Sequence, residues 1–274
     1  MAHGPGRAAL YAAVAAKGFR RYATYRAATL AGIFTNTVFG VILAQTYLAL
    51  WAERPGLGGY DQAQALTFVW IGQSLHMAVA AMGGGSEEEL MERIRSGDIA
   101  VDLYRPVDLQ LWWLAQDAGR ACFQLFARGA LPLAFGALVF DLALPASPGT
   151  WIAFFTAVLL GLLVSFGIRY LVALSAFWLL DGAGVGQLAW LVGMFFSGML
   201  LPLNVFPGLL GEAARVLPWS SILQLPADVL LGVHTGTGLL GVYASSSPGR
   251  RRCSPPAAPS RASRPAGWWS RVAD

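Results

Sequence analysis

Five long apolar runs, separated by short polar breaks, set the rhythm of this chain and predict helices that cross a membrane. The first runs from Thr29 to Trp51 without a charge. At about 1.5 Å of rise per residue it spans a hydrocarbon core of about 30 Å. The others cover residues 63–82, 121–140, 151–180 and 188–206. The fourth is longer than a bilayer requires, so it must tilt or project. Pro132 falls inside the third, where neighbouring helices have to satisfy the carbonyl it frees. The breaks are turn-rich: Glu53 to Asp61 with four glycines and prolines, the glycines 83–85, residues 141–150, and Asp181 with Gly182, Gly184 and Gly186. Residues 207–228 are semi-apolar but broken by Pro207, Pro218 and Pro226, a pattern of short helices dipping into the interface.

The N-terminal 28 residues carry Lys17, Arg20 and Arg21 among Leu10, Tyr11, Val14, Phe19 and Tyr22. That mixture predicts a helix along the membrane surface. A cleavable signal is not expected, because the apolar run that follows is too long for a signal core. The arginines flanking the first run (Arg7, Arg20, Arg21, Arg26) and those after the second (Arg93, Arg95, Arg105) fall on one side, and the positive-inside rule makes that side cytoplasmic. Residues 207–228 are then external.

One stretch breaks the apolar monotony. Ser86 to Asp108 holds much of the charge in a chain with 12% charged and 56% apolar residues, against averages of about 25% and 45 to 50%. Ser86 ahead of Glu89 predicts a capping box, and Glu87, Glu88 and Glu89 suit a helix N-terminus. Arg93 and Arg95 suit its other end, and Gly97 can stop it. Leu90, Ile94 and Met91 form one apolar edge. Two uses fit: a cytosolic docking element, or a solvated helix that links two spans.

The run from Arg95 through Asp108, RSGDIAVDLYRPVD, resembles the cytosolic signature of bacterial ABC transporter permeases of the ABC-2, or type-2 exporter, family. The resemblance continues through Phe177-Trp178-Leu179-Leu180-Asp181 and through Ser197 to Leu203 with Phe206-Pro207. It implies an all-α integral membrane bundle of six spans, five of them present here, with an N-terminal interfacial helix and a cytosolic coupling helix. It implies a permease subunit that dimerises with a second copy or a related subunit in the bacterial cytoplasmic membrane, N-terminus inside. A separate cytosolic ATPase would bind the coupling helix, and no cofactor is implied. By position the ATPase-coupling residues would be Glu88, Leu90, Met91, Glu92, Ile94, Arg95 and Gly97, followed by Asp98, Asp102, Arg105, Pro106 and Asp108, which shape the return to span three.

The chain has no P-loop of its own, since its only lysine, Lys17, sits in Ala-Lys-Gly. His3, His76 and His234 have no metal-ligand spacing, and the serines lack a nucleophile context. Arg128 and Arg169 fall within spans, where a central arginine costs at least about 2.5 to 3.5 kcal/mol and needs a partner. With Asp181 they are candidates for pathway residues or for intramembrane pairs. A secondary carrier or a non-transporting membrane scaffold stays open as an alternative, although the carboxylates fall at span ends.

After Tyr243 the chain turns to Ser, Pro, Arg and Ala. From Ala244 there are six Arg and one Asp, so the tail holds +5 of a net +4. A sixth span is expected there and is missing. The tail is either a disordered basic segment or the product of a frameshift near Tyr243. The forced tryptophan codons of Gly267-Trp268-Trp269-Ser270, read two bases later, give a Val-rich run.

Overall fold

The computed structural model describes residues 5–80, 84–179 and 182–233, and the described residues are helical with no strand. The all-α membrane architecture expected from the apolar runs is present. Three helical segments are long and apolar enough to cross a membrane: Arg26–Glu53, Leu109–Val139 and Pro148–Leu179. Asp181, His234 and the whole segment after it lie outside the described residues.

α1 (Pro5–Ala23) packs along α6 (Leu109–Phe123). Two glycines permit the approach: a Cβ on Gly119 would overlap the Ala15 carbonyl, and one on Gly18 the Gln116 carbonyl. Phe19 and Phe123 then meet edge to face at 5.4 Å. The N-terminal helix is therefore seated on a span, with Lys17 and Arg20 left exposed.

α2 (Arg26–Glu53) turns its Gly32, Asn36, Gly40, Ala44, Tyr47 and Trp51 stripe inward, a spacing of four residues with a single step of three that marks one helix face. It packs on α3 (Gln62–Leu75), whose start is fixed by a reciprocal cap. The Asp61 carboxylate accepts from Gln64 N at 2.7 Å, while the Gln64 amide oxygen accepts from Asp61 N at 3.0 Å. Every residue from Ala65 to Leu75 is buried.

α3 is shorter than the second apolar run. It stops at Leu75, and residues 76–80 continue as turns, with Ala80 at φ 49°. Fourteen residues rise only about 21 Å, so this element is a core helix whose freed carbonyls must find donors elsewhere.

The third span begins a dozen residues before the expected 121. α6 passes through a π turn, Gln124–Gly129, into α7 (Ala130–Val139). Proline has no N–H for the residue four positions back, and Pro132 thus frees the carbonyl of Arg128; the widened turn directly precedes it. α8 (Pro148–Leu174) continues into α9 (Ala176–Leu179). α10 (Ala183–Phe196) starts and ends earlier than the fifth run; Gly198 at φ 86° and Pro202 then turn the chain. α11 (Gly208–Val216) and α12 (Gln224–Leu230) are the short pieces between the prolines, and α12 packs on α8.

At the end bearing the 53–61 loop, Tyr60 is buried in a polar knot. Its hydroxyl pairs with Asp228 and accepts from Asn204 Nδ2 and Gln224 Nε2, each at 2.9 Å. Burial, and then the facing Asp228 carboxylate, pushes the phenol far above its ordinary range. Large apolar side chains such as Leu30, Phe34, Phe126, Leu138, Ile152 and Leu188 stay on the outside, as a lipid-facing surface requires.

Candidate functional site

The charged stretch forms α4 (Glu87–Ser96) and α5 (Ile99–Leu103). Gly97 ends α4 in the left-handed region at φ 82°, which glycine adopts without steric cost. The capping box at its start is not made: Ser86 gives no side-chain cap. Glu89 is instead drawn to α1 and α6, meeting Arg21 at 2.6 Å and Gln116 at 3.4 Å.

The apolar edge of α4 points into the protein. Leu90 and Ile94 are buried with Ile99, Trp113, Phe166, Ala173 and Ala176, and Met91 packs beside them. That edge seats the helix on α8. The outward surface carries Glu88, Glu92, Arg95, Asp98, Arg105, Pro106 and Asp108, and an exposed apolar trio, Val101, Leu103 and Tyr104. Sequence reasoning missed this trio; the high exposure of Tyr104, 91%, distinguishes it from the seated edge.

Asp102 ties the two short helices together. It is buried between Arg93, at 2.5 Å, and Arg105, at 3.3 Å. The hydrogen bond to Asp102 raises the pKa of Arg93. Asp108 caps α6 by accepting from Leu111 N at 2.8 Å. Glu92 and Arg95 pair at 2.8 Å on the surface, where such pairs contribute about 0 to 1 kcal/mol.

Beneath α4 lies a buried ion network joining four elements. Arg169 of α8 reaches Glu87 in the first turn of α4 at 3.0 Å and Asp117 of α6 at 2.7 Å. Asp117 also accepts from Arg120 at 2.8 Å. Arg120 donates onward to the carbonyls of Met77 and Ala78, at 2.8 and 2.9 Å. Ser165 donates to the Val79 carbonyl and accepts from Arg169 Nε at 3.3 Å. The carbonyls released where α3 stops are therefore taken by side chains of α6 and α8, as basic side chains commonly do at a helix C-terminus.

Two carboxylates and two guanidiniums make this network neutral, and each member is at least nine-tenths buried. Neutrality matters because removing one partner from such a set leaves a buried charge, at about 3 to 5 kcal/mol. Arg169 is thus paired with two carboxylates. From the sequence Glu87 suited only the start of a helix, and Asp117, Arg120 and Ser165 had no site role. Asp117 and Arg120, three apart on one helix, were the available signal.

Arg128 stands apart. Its side chain rests against Gly32 of α2 and has no carboxylate within ion-pair distance among the described residues. Beside the network, a cavity of about 430 Å³ opens between α4, α8 and α10, bordered by Glu88, Met91, Arg169, Trp190 and Trp219. No group of His, Cys, Asp and Glu among the described residues is placed to hold a metal.

No curated protein and no solved structure matches the chain. A family model described as an ABC-2 family transporter protein matches residues 31–247, which include the charged stretch, the ion network and all of the long apolar helices except the first five residues of α2. The chain belongs to the ABC-2 family of membrane transporter proteins.

Proposed function

We propose that this chain is the permease subunit of an ABC exporter, with α4 and α5 as the element on which a separate cytosolic ATPase acts. The observation that carries the reading is mechanical. α4 is fastened at its first turn to two spans, through Glu87 to Arg169 and from there to Asp117, while its other surface is free. A displacement of α4 is delivered to α6 and α8 through ionic contacts in a low dielectric, where they are stiff.

The free surface pairs an apolar trio, Val101, Leu103 and Tyr104, with Glu92, Arg95, Asp98 and Arg105 around it. Such a patch has the make-up of a protein interface, an aromatic anchor with a charged rim. In this arrangement the N-terminus and α4 are cytoplasmic, and a second permease subunit completes the pathway.

Purification of the tagged protein from its native membranes, with any co-purifying P-loop ATPase identified by mass spectrometry, tests the reading. Tyr104→Glu is expected to lower recovery of the ATPase at least tenfold, with the membrane domain still folded. Recovery of no ATPase by the wild-type protein overturns it in favour of a carrier or scaffold, and equal recovery by the variant overturns the exposed trio as the docking surface.

A further inference from the structure

We infer that α4 is a movable wall of the cavity between α8 and α10, with Met91 as its stopper, so that rocking α4 opens this cavity toward the side of the protein where α1 meets α4. The inference rests on the transport reading only for the force that rocks the helix. Around α4 the labour is divided between two neighbouring stripes. Glu87, Leu90 and Ile94, at i, i+3 and i+7, are buried and seat the helix on α8. Glu88 and Met91, beside that stripe, border the cavity.

The cavity, about 430 Å³, follows one face of α10. Ala183, Gly186, Gln187, Trp190 and Gly193 border it at steps of three, one, three and three residues, and Ser197 follows one turn further on. From Ala183 to Ser197 that face rises about 21 Å, a large part of a hydrocarbon core of about 30 Å. Ile222 also borders the cavity and lies against Gly161, eight residues before Arg169 on α8, so it marks the end away from α4. At the end near α4 the stopper is Met91, which rests in a socket of glycines. A Cβ on Gly182 would stand 2.8 Å from the Met91 sulfur, and one on Gly186 would stand 4.0 Å from its methyl carbon. The unbranched, polarizable side chain of methionine suits a contact that breaks and re-forms.

The means of motion are present as well. Ten residues are too few for a helix to hold its place without tertiary contacts. α4 also lies between Gly84 at φ 80° and Gly97 at φ 82°, left-handed positions that glycine occupies without steric cost. The buried stripe then serves as the axis: rocking about Glu87, Leu90 and Ile94 lifts Met91 from its socket and leaves the pair with Arg169 in place. Glu88 is exposed and has no ion-pair partner among the described residues, so it does not tether the cavity side of the helix.

Thiol labelling tests this on the full chain carrying Cys122→Ala and Cys253→Ala, in sealed vesicles sorted so that an N-terminal tag faces outward. The reporter is Val172→Cys, partly buried on the cavity wall. The control is Leu171→Cys, its neighbour on α8, which is 69% exposed and does not border the cavity. The probe is the membrane-impermeant 2-(trimethylammonium)ethyl methanethiosulfonate, added outside. Met91→Ala is expected to speed labelling of the reporter about tenfold, the change that about 1.4 kcal/mol of lost contact gives. Gly182→Val, whose side chain takes the place of the Met91 sulfur, should act in the same direction, while Met91→Leu should keep the wild-type rate. The control rate should stay constant throughout. Equal reporter rates in wild type and Met91→Ala overturn the movable wall, and a parallel rise at the control overturns it in favour of general loosening. If Met91→Ala does not reach the membrane, Gly182→Val decides. With a co-purified ATPase bound, magnesium ATP should raise the reporter rate in the otherwise unchanged chain, and no rise overturns α4 as a driven wall. If no ATPase co-purifies, the transport reading fails, while the Met91 variants still decide whether α4 closes the cavity.

Discussion

Arg169→Met removes the one cation that Glu87 and Asp117 share. Asp117 keeps Arg120 at 2.8 Å, but Glu87 keeps only a backbone contact, accepting from Gly85 N at 3.3 Å. A carboxylate 8% exposed is then left without a counter-charge. Breaking a buried pair in this way costs about 3 to 5 kcal/mol. The membrane setting lowers that figure, because groups in the unfolded state also find partners there. Replacing both members of the pair by apolar groups restores most of the loss, since such replacement is often neutral. The expected outcome is a large fall in thermal stability for Arg169→Met and substantial recovery for Glu87→Met with Arg169→Met. In the reconstituted complex, the double variant should hydrolyse ATP but transport poorly, because α4 has lost its fastening to α8. Additive stability losses, with no coupling beyond about 0.5 kcal/mol, would refute the network. Full transport by the double variant would refute the idea that the network conveys motion.

Gly119→Val should unseat α1, since its side chain would occupy the place of the Ala15 carbonyl; faster hydrogen exchange confined to residues 5–23 is the expected sign. Tyr60→Phe strips partners from Asp228, Gln224 and Asn204 and should cost about 1 to 3 kcal/mol, read from the unfolding midpoint. Because the folded phenol titrates above its unfolded value, its stabilisation is complete throughout neutral pH. Ultraviolet titration should accordingly show this tyrosine protonated until the protein unfolds. Asp102→Asn should leave stability within about 1 kcal/mol, as Arg93 and Arg105 are partly exposed, while lowering ATPase recovery by loosening α5. Resequencing the gene across the codons for Gly241 to Ser247 should reveal a frame break, given that the family match stops at residue 247, close to the change in composition. An intact frame, with tail peptides found in the mature protein, would establish the basic tail as genuine.

The three long helices and the island of charge between the second and third apolar runs were legible because hydropathy and local charge are local properties. The orientation of α4 was not. A 3.6-residue period marks Leu90 and Ile94 as one edge but says nothing of whether that edge meets another protein or α8. Partners far apart in sequence decided the rest. Arg169 meets Asp117 across 52 positions and Glu87 across 82. The end of α3 depends on Arg120, more than forty residues away, accepting the role of cap. At Ser86 a sound local rule yielded to a distant contact, because the Glu89 carboxylate that would complete the box is held by Arg21.

The unequal burial of the ion pairs has a consequence for how the protein responds to salt. Screening acts over about 8 Å in physiological salt and about 3 Å at 1 M, but only where solvent reaches the charges. Arg21 with Glu89 and Glu92 with Arg95 are all more than two-fifths exposed, whereas Asp117 and Arg120 are each 3% exposed as side chains. Ionic strength can therefore act as a scalpel. Concentrated salt should weaken the outer charges of α4 and any partner held by them, yet leave the helix bolted to its spans, so that the complex comes apart at its surface while the permease retains its internal linkage.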